Sequence, residues 1–213
     1  MHLPLSSGES IGIGLVAAAV VLTPLIGTTV AHFSGMTREG AHALLAVILG
    51  LTVTEIILDR HSGGKTSIAG EGMRVVLVFL IGYMGPSLFG LGAARLISLG
   101  YPVVVLWLIV LILVLVLFLL GRSFGMLSVP IAIGAFYLIL RYTHAGQEVV
   151  AAYAVAWLLL LSGLRTAIAH GFHSGATDNL RSRTHLPRGF WWLLWLAGTV
   201  GALLVGGKLL VLG

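Results

Sequence analysis

The sequence predicts an all-α, polytopic integral membrane protein with six to seven transmembrane helices. Three observations carry this. Of 213 residues, 58% are hydrophobic and only 9% are charged, against about 25% charged in a soluble domain. The mean hydropathy is +1.08. The apolar residues also fall in runs long enough for a bilayer, whose core of about 30 Å takes roughly 20 helical residues. A soluble enzyme, a nucleic-acid-binding domain, a disordered tail and a disulfide scaffold all need more polar surface or more cysteine.

The first run is 11–33, closed by a Ser34-Gly35 break. A second helix is expected over 37–58, with Thr37 as N-cap. A polar loop, 59–71, holds Arg60, His61, Gly63, Gly64 and Lys65. A third span runs from Met73 to Leu99, and Gly82, Gly85 and Pro86 predict a kink in it. Residues 102–120 carry no charge and form the fourth span. After a Gly121-Arg122-Ser123 turn, the fifth covers 124–140 and the sixth 147–168. The segment 169–187 is polar, and 190–212 is the last span. Trp191, Trp192 and Trp195 are expected at the membrane interface, as anchors without chemistry. The whole chain, 1–213, reads as one membrane domain without internal repeats.

The net charge is +5, from ten Arg and two Lys against five Glu and two Asp. Scarce acids produce this excess, so it does not point to nucleic acid. It sets loop orientation instead. Arg60, Lys65, Arg74, Arg122, Arg165, Arg181, Arg183 and Arg188 then mark the cytoplasmic side, with Arg38, Arg95 and Arg141 outside. No cysteine is present, which excludes thiolate metal sites and a cysteine nucleophile. The start, Met1 to Glu9, lacks the basic region of a cleavable signal peptide. Low Lys with high Gly, Ala, Leu and Val is the composition of a bacterial, plasma-membrane protein.

Residues 38–42 read Arg38-Glu39-Gly40-Ala41-His42. Glu and His three apart share a helix face. In a zinc-peptidase helix, His-Glu-x-x-His, two imidazoles bind the metal and the Glu activates its water. Here Glu39 and His42 hold the second and fifth places, and Arg38 holds the first. By itself this is equally a polar helix start facing water.

Several stretches, taken in order, make the chain resemble the B-like branch of the site-2-protease-type membrane zinc metallopeptidases. Glu39-Gly40-Ala41-His42-Ala43-Leu44 resembles the family's motif helix. His61-Ser62-Gly63-Gly64-Lys65-Thr66 resembles its Gly-rich hairpin. Gly82-Tyr83-Met84-Gly85-Pro86-Ser87-Leu88-Phe89-Gly90 is similar to its Gly-Tyr-x-Gly-Pro-x-x-x-Gly segment, the most specific of these pieces. Gly121-Arg122-Ser123-Phe124-Gly125 resembles its mid-chain turn. Thr177-Asp178-Asn179 with Thr184-His185-Leu186-Pro187 and Trp191 resembles its acidic C-terminal segment. The resemblance covers 30–213.

It implies an intramembrane zinc held by two His and a distant Asp. Carried over, His42 is a zinc ligand, Asp178 the third ligand and Glu39 the general base. Arg38 departs from the pattern. A guanidinium has no lone pair to give and stays protonated. Two protein ligands remain where catalytic zinc has three plus water. The expectation is therefore a non-proteolytic member without a cofactor. It would act as a scaffold or accessory subunit, holding a membrane protein or a transmembrane substrate segment among the lipids. The alternatives are an active zinc metallopeptidase with a substitute ligand, and a small channel or transporter component.

An unpaired carboxylate inside a bilayer costs about 2.5–3.5 kcal/mol. Arg38 either pairs with Asp178 or Glu39 and takes over the metal's charge, or snorkels to water. With seven spans, residues 38–42 and Asp178 start on opposite sides, whereas the resemblance needs them close. Either 169–187 re-enters the membrane or one span is miscounted.

Other groups carry alternatives. His170, His173 and His185 with Asp178 are a replacement metal site or a solvated loop. His32 is a substitute ligand or an interfacial histidine. Glu55 and Asp59 are a helix-end cap beside Arg60 or part of a proton path. Gly121/Gly125 and Gly82/Gly85/Gly90 permit close helix packing. Gly63-Gly64-Lys65-Thr66 lacks the leading Gly of a phosphate loop.

Overall fold

The computed structural model describes residues 5–58, 64–119, 125–170 and 175–213. Among the described residues the chain is helical with one β-hairpin. In order it forms α1 (Ser7–Leu22), α2 (Pro24–Ile48), β1 (Thr52–Leu58), β2 (Gly64–Ala69), α3 (Met73–Tyr83) and α4 (Gly85–Ser98). Then follow α5 (Pro102–Phe118), α6 (Gly125–Tyr142), α7 (Ala145–His170), α8 (Gly175–Thr184) and α9 (Arg188–Leu212).

Two boundaries differ from the sequence expectation. The first break falls at Thr23-Pro24, not at Ser34-Gly35. Pro24 suits the first turn of a helix, where its missing N–H would be unbonded anyway. Thr37 therefore lies mid-helix, and its hydroxyl donates to the Ser34 carbonyl at 2.9 Å instead of capping. The second helix also stops ten residues early. Gly50 adopts φ 68°, and the Leu51 N–H reaches back to the Ala46 carbonyl at 2.8 Å. This is a left-handed glycine stop, which satisfies carbonyls that the helix end exposes. The following Thr52-Val53-Thr54-Glu55-Ile56-Ile57 is rich in β-branched residues, which favour strand. It pairs antiparallel with β2, with Ile56 opposite Thr66 and a bulge between Val53 and Glu55. Ile56, Leu58 and Thr66 are buried, so one face of the hairpin packs inward. Glu55 consequently sits on a strand and not at a helix end. Asp59, Arg60 and His61 lie outside the described residues.

The predicted kink is present. Helices α3 and α4 meet at a 63° bend. Pro86 sits in the first turn of α4, where it cannot continue α3 because it has no N–H to give.

Helix α7 is the axis of the molecule and packs against α1, α4, α5 and α9. Its Ala152, Ala156, Leu159 and Leu160 are fully buried. Gly90 of α4 allows the approach: a Cβ there would lie 2.9 Å from the Leu160 backbone nitrogen. The outer surface is also apolar, with Leu15, Trp107, Leu111, Phe118 and Leu204 all exposed. An apolar exterior over an apolar core is the pattern of a chain dissolved in lipid.

The span count is less simple than seven equal helices. Gly146–Ala169 and Arg188–Leu212 are long and apolar enough to cross a membrane. The bent α3–α4 pair makes a third if taken as one broken span, and Ser7–Leu22, Pro102–Phe118 and Met126–Tyr142 are shorter apolar helices.

Candidate functional site

The site forms where the middle of α2 meets three other elements: the inner face of the hairpin, the α3–α4 bend and the start of α8. Arg38, Glu39 and His42 share this cavity of about 280 Å³ with Gly64, Lys65, Thr66, Phe79, Tyr83, Ala176 and Asn179.

Glu39 is its centre and is 2% exposed. Both carboxylate oxygens are engaged. Arg38 Nε donates to Oε1 at 2.9 Å, and Arg38 Nη2 lies at the same distance from that oxygen. Thr66 donates its hydroxyl to Oε2 at 2.6 Å. Of the two partners expected for Arg38, the structure thus brings Glu39. The guanidinium also points toward the Gly64 carbonyl at 3.5 Å, and its carbon stands 5.6 Å from the centre of the Tyr83 ring, within cation–π range.

His42, one turn further along α2, is buried. Its Nδ1 stands 3.6 Å from Glu39 Oε2, too far for a hydrogen bond. Neither ring nitrogen has a hydrogen-bond partner among the described residues.

The glycines explain how so many groups fit around one helix. A Cβ on Gly64 would fall 2.7 Å from Glu39 Cγ, and one on Gly82 would fall 2.8 Å from His42 Cγ. A Cβ on Gly85 would strike Ala41. The Gly-Tyr-x-Gly-Pro stretch is therefore a cradle. Gly82 and Gly85 accept α2, Tyr83 faces Arg38, and Pro86 turns the chain away. Gly82→Ala should push the imidazole aside and lower stability by about 1–3 kcal/mol, as overpacking does. The check is chemical denaturation in micelles beside Gly92→Ala, where a Cβ meets open space and little change is expected.

Tyr83 is itself fixed from behind. Its ring stacks on Trp195 at 4.0 Å and 15°, and the Trp195 indole N–H donates to the Leu80 carbonyl at 2.9 Å. Trp191 and Trp195 are 6% and 0% exposed. The expected interfacial tryptophan anchor is thus corrected: these rings form a second core with Val76, Tyr83 and Leu180. Trp192 points its N–H to the Ala167 carbonyl at 2.9 Å. The amphipathic indole suggested an interface, but Leu180 of α8 packs with Trp191 and Trp195 and helps to cover them.

The structure does not bring Asp178 to the other site residues. Thr177 and Leu180 occupy the buried face of α8, which turns Asp178 outward. Its side chain is 52% exposed and pairs with Arg188 at the start of α9. The neighbouring Asn179 lines the cavity instead. Helix α8 packs against α3 and places Ala176 and Asn179, not Asp178, beside the motif helix.

The other histidine readings divide. His32 hydrogen-bonds Ser128 of α6 at 2.8 Å, and ten residues of helix set it about 15 Å from His42. His185 is exposed, with φ 59°. His173 and the side chain of His170 lie outside the described residues, as does Gly121.

The described residues around Glu39 and His42 do not by themselves make up a catalytic zinc site. Among the described residues no group of three or more His, Cys, Asp or Glu side chains could hold a metal ion. At the motif helix the donors are His42 and a carboxylate already bound to a guanidinium, whose charge opposes that of a metal. Thr66, Tyr83, Trp195 and Asn179 were not singled out as site residues from the sequence. Thr66, Tyr83 and Asn179 carried a signal through their places in the Gly-rich, Gly-Tyr and acidic stretches, and Trp195 only as an expected anchor.

A motif helix with Glu and His on one face, cradled by a glycine bend and covered by a hairpin, is a metallopeptidase-like scaffold. The peptidase M50B-like family model matches residues 11–206. The chain belongs to this family, that of the site-2-protease-type membrane peptidases. No curated protein and no solved structure matches it.

Proposed function

We propose that the chain is a non-proteolytic member of the family. It serves as a binding or accessory subunit in the bacterial plasma membrane, which it crosses several times. Its partner is another membrane protein, or a transmembrane segment held at the former catalytic groove.

One observation carries this reading: the Arg38 guanidinium sits on the Glu39 carboxylate at 2.9 Å. A general base needs a free lone pair within reach of the water it activates. Glu39 already accepts from Arg38 on one oxygen and from Thr66 on the other, so a water would have to compete with two donors in place, one of them charged. The positive charge that a family enzyme obtains from zinc is supplied here by a side chain. The carboxylate stays neutralised in a dry interior, so the fold remains closed without metal.

The competing reading is an active zinc peptidase that recruits a substitute ligand to His42. Metal content after purification without chelator separates the two. The expected result is well under one zinc per native chain, with zinc retained by Arg38→His, where a lone-pair donor returns to the first position of the motif. Stoichiometric zinc in the native chain, lost in His42→Ala, would overturn the proposal. So would cleavage of a model transmembrane substrate that Glu39→Gln abolishes.

A further inference from the structure

The cavity beside Glu39 is built for more than closing a pair. Two cationic side chains, Arg38 and Lys65, line it against one carboxylate, Glu39. One positive charge is left in excess. Arg38 uses Nε and Nη2 toward Glu39 and Gly64, and no hydrogen bond from Nη1 occurs among the described residues. One turn along the same helix, His42 lines the cavity, 4% exposed, its Nδ1 3.6 Å from Glu39 Oε2 and neither ring nitrogen hydrogen-bonded among the described residues. A buried imidazole N–H without a partner loses about the worth of a hydrogen bond, so a ligand that accepts from it gains that bond in full. Phe79, Tyr83 and Ala176 add an apolar stretch of wall, beside the polar Thr66 and Asn179.

We propose that this cavity binds a carboxylate attached to a short apolar body. One carboxylate oxygen accepts from Arg38 Nη1 and the other from the His42 ring, while Lys65 supplies charge at the mouth. A monoanion cancels the excess charge; a phosphate near −2 would overshoot it. The cavity of about 280 Å³ is near the lower end of ligand pockets, which suits a body of a few carbons. The carboxylate is that of a free short-chain acid or of the last residue of a peptide. This assignment rests on the metal-free reading above and names what the groove holds.

The test uses the full chain in micelles, labelled with ¹⁵N at histidine, with the His42 signals assigned by their loss in His42→Gln. Hexanoate and N-acetylleucine are the probes, and hexanol is the control for partition into the apolar wall. A saturable shift of the His42 ring signals with either acid, and none with hexanol, is the expected result. Hexanoate alone assigns the site to free acids; N-acetylleucine alone assigns it to chain termini. Lys65→Gln, an exposed change, should weaken binding about threefold, the loss of one screened charge at the mouth, and leave the melting temperature of the free chain unchanged. No saturable shift, an equal shift with hexanol, or unaltered affinity in Lys65→Gln would overturn the assignment. A zinc titration separates the two layers. If zinc moves His42 and the acids do not, the metal-free reading falls as well. If neither moves it, the carboxylate assignment alone falls.

Discussion

Arg38→Ala should lower the unfolding free energy by about 3–5 kcal/mol, the range for removing one partner of a buried ion pair. Glu39 is 2% exposed and would keep the Thr66 hydroxyl as its remaining donor. It must then stay ionised with only the exposed Lys65 at the cavity mouth as a cation, or take up a proton, and both are unfavourable for a buried carboxylate. The mechanism can be separated from lost packing. If the uncompensated charge is the cause, adding Glu39→Gln to Arg38→Ala should recover most of the loss, because exchanging both partners of a buried pair for neutral groups is often close to neutral. Denaturation in mixed micelles of the two single variants and the double variant measures this. A double variant as weak as Arg38→Ala would show that the stem of the arginine matters and its charge does not.

Trp195→Ala should cost about 3–5 kcal/mol, as other large-to-small core changes do. The ring is fully buried and has two duties. It stacks on Tyr83, which faces the Arg38 guanidinium. Its N–H also caps the Leu80 carbonyl, one of the last carbonyls of α3, which a helix end leaves without internal partners. Trp195→Phe keeps most of the apolar area but removes the donor, and should cost about 1–3 kcal/mol for the carbonyl left unpaired. A loss in Trp195→Phe as large as in Trp195→Ala would place the whole effect in the cap. Tyrosine fluorescence, read beside denaturation, reports whether Tyr83 loosens with the bend.

Much of the fold was legible in the chain. The runs at 102–118 and 190–212 needed no context, because a helix of that composition has no other stable setting. The bend at Gly82-Tyr83-Met84-Gly85-Pro86 was legible too, since a proline forbids the helix from continuing. The glycine stop at Gly50 was equally present in the sequence, yet the apolar run through Leu58 concealed it. Hydrophobicity alone does not separate a short buried strand from a helix; the antiparallel partner at 64–69 decides it.

For the site, the sequence by itself set the residue types. It put Glu39 and His42 on one helix face, and it put an arginine where a lone pair is required. That much follows from the spacing of an α-helix and the chemistry of guanidinium. Which carboxylate the arginine meets was decided by the tertiary structure. The hairpin lays Thr66 on Glu39, while the buried face of α8 turns Asp178 outward to Arg188 and Asn179 inward. The same packing drew Trp195 from an expected interface into the core. Local sequence fixes what a side chain can donate or accept. The partner it finds depends on which face of each element is buried, and that is settled when the elements pack.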